Sequence, residues 1–476
     1  MNETLQAVVA ISYLISSIFF IFGIKRLSHP KTAPRGNRIG AIGMLIASLT
    51  AFVDFGLLQN NNVFPLQFLW LIALAIVAGT AVGIWSATTV KMTGMPQMVA
   101  IFNGFGGAAS FLVAGVYYQF LLVDGLPTGD PAFLLATGLS GLIGAITLSG
   151  SFLAFAKLQE LKWIPGKPVT YKGDLIVKLS LLLALVVGTG LFVVVTNTLE
   201  LYWLLVLGGL ILGVLLVIGI GGADMPVVIS LLNSYSGLAA AATGFVLENT
   251  VLIISGSLVG ASGLILTAIM TKAMNRSLQN VLFGGFGGAT EGPSADDVYG
   301  GKVKSTSSDE VAMLLKNARR VVIVPGYGLA VARASGPTRV LTELMEADGI
   351  DVAFGIHPVA GRMPGHMNVL LAEENIAYEK LVELDTINPT FAQTDVVLVL
   401  GANDVVNPLA RDPQSAIAGM PILDVDKAAV CVIVKRSLSP GFAGIPNPLF
   451  ANENSLMLFA DGKQAMDDLV TAYKEA

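Results

Sequence analysis

The sequence predicts a chain in two parts: a polytopic α-helical membrane domain with about nine transmembrane helices, then an α/β domain with a parallel sheet. Three observations predict it. Of 476 residues, 54% are hydrophobic and only 13% charged, and the mean hydropathy is +0.72. Soluble enzymes rarely have this balance, whereas multi-span membrane proteins do. Apolar stretches of spanning length recur through the first half. From Asn280 the composition changes, and apolar β-branched runs then alternate with helical patterns, as in a doubly wound sheet.

Spans are expected at 5–25, 40–58, 68–90, 97–120, 131–156, 175–197, 200–221, 225–246 and 250–271. Residues 1–6 carry no basic leader and run straight into the first span, which reads as a mature helix. Basic residues fall in alternate loops: Lys25, Arg26, Lys31, Arg35 and Arg38; Lys91; Lys157, Lys162, Lys167 and Lys172; Lys272 and Arg276. The other loops hold almost none. The positive-inside rule puts the basic loops in the cytoplasm. Nine spans then leave the N-terminus outside and everything after Met274 inside. The single cysteine, Cys431, excludes a disulfide framework or a cysteine-rich metal site. The net charge of −5, without a basic tract, gives no sign of nucleic-acid binding.

Few polar residues enter the spans. They are Asp54 in the second, Asn103 in the fourth, Ser149 and Ser151 in the fifth, and Asn233, Ser234 and Ser236 in the eighth, with Asp224 at its mouth. Such groups are costly in hydrocarbon and face a bundle interior or a wet path. They also serve as interhelical hydrogen-bonding groups on Gly- and Ser-rich faces, and Asp224 before Met225-Pro226 suits a helix cap. All three histidines, His29, His357 and His366, lie outside the spans.

The domains read as 1–273 for the membrane part, 274–301 for a glycine- and serine-rich linker, and 302–476 for the nucleotide domain. In the last, strands are expected at 320–325, 351–356, 396–401, 421–425 and 430–435. Helices are expected at 311–318, 328–347, 367–375 and 463–474. Val321 to Val324 followed by Gly326-Tyr327-Gly328 and Leu329-Ala330-Val331-Ala332 is a strand–glycine turn–helix unit. It suits a dinucleotide pyrophosphate and makes the domain Rossmann-like. The third small position of the fingerprint falls on Val331, which is larger than the Gly or Ala usual there. Ligands of such sheets sit beyond the strand ends. The second strand is followed by His357 to Asn368, with no acid in the place that holds the ribose of NAD. The third is followed by Gly401-Ala402-Asn403-Asp404, and the last by Lys435-Arg436-Ser437. Two cations and a hydroxyl suit a 2′-phosphate. With the missing acid they favour NADP over NAD.

These motifs, with Gly221-Gly-Ala-Asp-Met-Pro-Val-Val, Leu232-Asn-Ser-Tyr-Ser-Gly, Lys272-Ala-Met-Asn-Arg-Ser and His357-Pro-Val-Ala-Gly-Arg-Met-Pro-Gly-His-Met-Asn, resemble the β subunit of the proton-translocating NAD(P) transhydrogenase over nearly the whole chain. The resemblance implies a membrane domain and an NADP(H)-binding domain on this chain. It implies NAD(H) on a partner α subunit that adds further membrane helices, and a dimer of α/β units. It implies that Gly326, Tyr327, Gly328, Ala330 and Val331 line the dinucleotide, and that Val359, Ala360, Gly361, Arg362, Met363 and Pro364 hold the pyrophosphate. Gly401, Ala402, Asn403 and Asp404 would lie at the nicotinamide end, Asp404 coupling its state to the proton path, and Lys435, Arg436 and Ser437 would hold the 2′-phosphate. Asn103, Ser151, Asp224 and Asn233 would belong to the proton path. Some members carry a histidine where this chain has Asn103. An amide does not take up a proton near neutral pH, so the titrating group would lie on the partner.

The expected reaction is hydride transfer between NADH and NADP⁺, driven by inward proton movement worth about 2.3 kcal/mol per 100 mV. No metal is expected. The alternatives are a transporter or channel whose cytoplasmic domain only senses a dinucleotide, and a membrane-anchored NADP-dependent reductase.

Overall fold

The computed structural model describes residues 3–27, 32–58, 69–90, 94–126, 129–159, 161, 163–165, 168–169, 171–195, 198–274, 277–283, 298–361, 365–415, 417–441 and 443–476. Arg362, Met363 and Pro364 lie outside the described residues, as do His29, Lys31, Lys91, Lys162, Lys167, Arg276 and most of the linker.

Among the described residues, nine helices are long and apolar enough to cross a membrane. They are α1 (Glu3–Leu27), α2 (Ala33–Leu58), α3 (Leu69–Thr89), α4 (Met95–Val123), α5 (Pro131–Leu158), α6 (Asp174–Val194), α7 (Leu199–Ile218), α8 (Met225–Val246) and α9 (Thr250–Ala273). The chain is a membrane protein. Local chemistry sets several ends. Asp130 accepts from Ala132 and Phe133 N–H at the start of α5, and Asn249 accepts from Leu252 N–H at the start of α9. In lipid, apolar side chains gain nothing by leaving their surroundings, so close packing must hold helices together. A Cβ at Gly107 of α4 would stand 2.5 Å from the Gly144 carbonyl of α5, so these backbones touch. Hydroxyls finish the job: Ser16 donates to the Gly43 carbonyl at 2.7 Å, and Tyr13 donates to Asp54 at 3.2 Å. Asp54 thus bonds between α1 and α2.

By contact the chain divides into two units. One comprises Met1–Ala156, Tyr171–Ile218 and Ile229–Ile265; the other comprises Lys157–Thr170, Gly219–Val228 and Leu266–Ala476. In the second, a short helix α10 (Leu278–Phe283) precedes α11 (Ser308–Lys316), β1 (Arg320–Pro325), α12 (Tyr327–Ala332), α13 (Ser335–Ala347), β2 (Asp351–Ile356), α14 (His366–Glu373), β3 (Leu381–Glu383), α15 (Leu384–Ile387), β4 (Val396–Leu400), β5 (Val430–Lys435), β6 (Ser455–Phe459) and α16 (Gly462–Glu475). The six strands are all parallel, in the order β3-β2-β1-β4-β5-β6. Successive side chains of β1 face opposite sides. Val321 and Ile323 join α11, α13 and α16 on one face; Val322 and Val324 join Phe391, Leu449 and Phe450 on the other. Ser307 and Glu310 form a capping box at α11. Asp348 ties the helical layer together, accepting from Tyr473 at 2.9 Å and pairing with Lys316 at 3.2 Å.

Three expectations are corrected. The helix expected over 328–347 is two helices, because Arg333 is left-handed (φ 53°) and Ser335-Gly336-Pro337 starts a new one. Residues 421–425 form no strand: β4 and β5 pair directly, which leaves no ladder for them. Instead the Leu423 N–H bonds the Val405 carbonyl at 2.9 Å. The short strand β3 and the last strand β6 were not expected.

His357, just past β2, bonds Pro421, the first of residues 421–425. It is 1% exposed. Its Nδ1 accepts from the Val359 N–H at 3.2 Å, so Nε2 carries the proton and donates to the Pro421 carbonyl at 2.7 Å. Burial pushes its pKa down to about 4, partly offset by the Pro421 carbonyl. Below about pH 6.5 the unfolded chain protonates this ring and the folded chain does not. The unfolded state therefore gains protons first, and the stability His357 contributes is complete above about pH 6.5 and declines as pH falls towards 4. The loss is on the order of 3 kcal/mol. Hydrogen exchange of the β1 and β4 amides in the full chain, between pH 7 and 4, reads it. His357→Gln keeps the donor to Pro421 and should flatten the acid-dependent loss by about that amount.

Candidate functional site

The strand order reverses at β1 and β4, so the loops after these strands diverge and leave a crevice. Their backbones touch. The Gly326 N–H bonds the Leu400 carbonyl at 2.8 Å, and the Gly328 N–H bonds the Gly401 carbonyl at 3.0 Å. A Cβ at Gly326 would stand 2.4 Å from the Ala402 Cα, and one at Gly328 would stand 2.7 Å from the Gly401 Cα. Gly401 is itself left-handed, φ 65°. Only glycines admit this packing.

A cavity of 440 Å³ opens at these loops. Gly326, Tyr327 and Gly328 line it, with Val359, Ala360 and Gly361, then Gly401, Ala402, Asn403 and Asp404, and Lys435. The fold thus brings together residues from four strand-end segments of the sequence reading. Ala330 and Val331 do not line the cavity. Ala330 is in the core, while Val331 is 53% exposed. The small residue that close packing requires is Ala332, whose Cβ would meet a Cβ at Gly462 of α16 at 2.9 Å. This explains how the oversized Val331 is tolerated. Arg436 and Ser437 are exposed at the end of β5. Gly361 is positive in φ at 105° and packs on the buried His366.

Asp404 and Lys435 set the electrostatics. Asp404 accepts from the Ala443 N–H at 3.1 Å. Lys435 donates to the Ser439 carbonyl, and its ammonium lies 4.9 Å from the Phe450 ring centroid. Burial lowers the Lys435 pKa below the usual lysine range, while the Asp404 carboxylate pulls it back up. An anion beside a half-buried ammonium would offset the cost of its burial. After β2 comes the neutral His357 and no carboxylate.

Sequence reasoning missed Val405, Ile417, Met420, Pro440, Gly441 and Ala443, which also line the cavity. The Pro440-Gly441 pair was a visible turn signal. A Cβ at Gly441 would meet the Asp404 carboxylate at 2.5 Å, so this glycine seats the acid.

In the helical unit, Asn103 is 5% exposed and its amide donates to the Ile229 carbonyl of α8 at 3.3 Å. Ser151 is fully buried beside Gly104, and its hydroxyl has no hydrogen-bond partner among the described residues. Asn233 is half-buried one turn after Ile229. Asp224, 1% exposed, ends the 3₁₀ turn Gly222–Asp224 before α8. Lys157, which the sequence counts as a loop charge, is 5% exposed and donates to the Ile220 carbonyl at 2.8 Å. No group of three or more metal-ligating side chains occurs among the described residues.

Comparisons with known proteins give the family. A family model described as NAD(P) transhydrogenase beta subunit matches residues 9–472. Two Rhodospirillum rubrum proteins, one assigned to a named strain, are each called NAD(P) transhydrogenase subunit beta. Each is 45% identical to this chain over 469 residues, covering 97% of this chain and 98% of the relative. With the glycine-locked crevice and the nine apolar helices, they establish that the chain belongs to the NAD(P) transhydrogenase beta subunit family.

Proposed function

We propose that this chain holds NADP(H) at the ends of β1, β2, β4 and β5, and couples hydride exchange with NAD(H) on a partner α subunit to inward proton movement. The observation that carries it is Lys435: a half-buried cation at a cavity whose second strand ends without a ribose-binding acid. The donor set fits a phosphorylated dinucleotide. Lys435, Arg436 and Ser437 would hold the 2′-phosphate, and the loop from Val359 through Arg362, Met363 and Pro364 the pyrophosphate. When bound, the nicotinamide supplies the hydride chemistry. The protein's part is positioning and exclusion of water. Gly326, Gly328 and Gly401 would fix the floor, and Asp404, bonded by the Ala443 N–H with room left by Gly441, would lie at the nicotinamide end.

The membrane reading rests on the polar side chains between α4, α5 and α8. Asn103, Ser151 and Asn233 would carry a hydrogen-bonded path, with Asp224 at its mouth. The unpartnered Ser151 hydroxyl supports a water there. With Asn103 in place of a titrating group, the protonatable residue would come from the α subunit. In this reading 1–273 conduct protons, 274–301 link, and 302–476 bind nucleotide on the cytoplasmic side of a bacterial inner membrane. The N-terminus is outside, and two α/β pairs form the complex.

Two outcomes follow. Arg436→Ala should weaken NADPH binding by about thirtyfold, the worth of a charge-assisted hydrogen bond of about 2 kcal/mol, and leave NADH affinity nearly unchanged. Fluorescence titration of the purified chain measures both, and an equal loss for the two nucleotides would refute the 2′-phosphate assignment. Asn233→Ala should lower proton pumping and reverse transhydrogenation together by about tenfold in proteoliposomes, the cost of one buried polar partner. Unchanged rates would remove Asn233 from the path.

A further inference from the structure

Composition assigns residues 298–301 to the linker, yet the structure builds them into the α/β unit. Tyr299 is 8% exposed and sits in the core beneath the sheet. Its ring stacks on Phe450 at 6.3 Å with an interplanar angle of 17°. Its carbonyl accepts from the Lys302 N–H at 2.8 Å, closing a turn. The chain then runs along the free edge of β6, where the Met457 N–H bonds the Lys304 carbonyl at 2.7 Å and the Thr306 N–H bonds the Met457 carbonyl at 3.0 Å. The chain entering from the last membrane helix is thus fastened to the sheet from Tyr299 onward.

Three connections lead from Tyr299 to the cavity. Its hydroxyl donates to the Leu438 carbonyl at 3.4 Å, in the loop that carries Lys435, Arg436 and Ser437. The same hydroxyl accepts from the Asn447 N–H at 3.2 Å. Asn447 is fully buried, and its side-chain amide donates to the Asn403 carbonyl at 3.1 Å, next to Asp404. The third runs through the rings: Phe450 meets both the Tyr299 ring and the Lys435 ammonium. A fully satisfied phenol joining two loops has little slack, because a buried polar atom that loses its partner is costly. Movement of either loop must move Tyr299 or break its bonds.

We propose that Tyr299 is a positioning residue that ties the linker to the loops after β4 and β5, so that the state of those loops reaches the chain leading to the membrane. The proposal rests on the reading of the cavity as the NADP(H) site.

The test uses the full chain with its α subunit in proteoliposomes. Release of NADPH, followed by its fluorescence after addition of excess NADP⁺, is timed with and without an imposed pH gradient. Tyr299→Phe keeps the ring stack and removes the hydroxyl. It should speed release about tenfold, for two modest hydrogen bonds lost, and cut the response of release to the gradient at least threefold. A purely structural tyrosine would lower the thermal midpoint alone and leave the gradient response as in the unsubstituted protein; that result overturns the proposal. Hydrogen exchange on the unsubstituted complex gives a second readout. NADPH should alter protection of the amides at 299–306, and no change there would also overturn it. If the unsubstituted complex shows no saturable NADPH binding, the site reading fails first and the tie falls with it.

Discussion

The α/β unit depends on one backbone contact, that between Gly326-Tyr327-Gly328 after β1 and Gly401-Ala402 after β4. Two N–H groups of the first turn bond carbonyls of the second, and a methyl group at Gly326 or Gly328 would overlap the opposing chain. This contact decides where the two loops part and so where the cavity lies. It is also unforgiving, since backbone atoms cannot swing aside as a side chain can. The all-parallel sheet supports it. β1 pairs with both β2 and β4, so the two strand ends are fixed in register before the loops begin. The residues that face the cavity then follow from strand order.

Charge is arranged around that frame with few groups. Asp404 and Lys435 come from neighbouring strand ends, and each is anchored to the Ser437–Ala443 loop: the acid through Ala443, the ammonium through Ser439. The loop beyond β2 offers a neutral imidazole bonded at both nitrogens. In the helical unit the same economy holds. Asp54 meets Tyr13, and Asn103 meets the backbone of α8. In the second unit, buried Lys157 donates to the Ile220 carbonyl just past α7. Polar atoms in an apolar setting must find partners, which makes the Ser151 hydroxyl stand out, since it has none among the described residues.

Much of this was legible in the sequence because long apolar runs have one reading. The nine spans and the strands β1, β2, β4 and β5, buried along most or all of their length, fall where the runs of Val, Ile and Leu place them. Short or mixed segments were not legible. β3 has three residues, and Pro421 to Val425 looks like a strand but has no ladder to join. The break after α12 was written in Ser335-Gly336-Pro337, a helix-start signal overlooked within a run of small residues. At the cavity, the glycines and Lys435 announce themselves locally. Ile417, Met420 and Gly441 do not, since only tertiary folding brings them to the same crevice. Tyr299 was hidden by its neighbours: composition made it a linker residue, and its stacking partner lies 151 positions away, at Phe450.

Hydrogen exchange of the full chain, with saturating NADPH and separately with NADH, tests most directly whether the glycine-locked crevice is the NADP(H) site. The account predicts that NADPH protects the amides of 326–332, 359–361, 401–406 and 435–441, while NADH at the same concentration leaves them unchanged. Equal protection by both nucleotides, or protection confined to other segments, would contradict it.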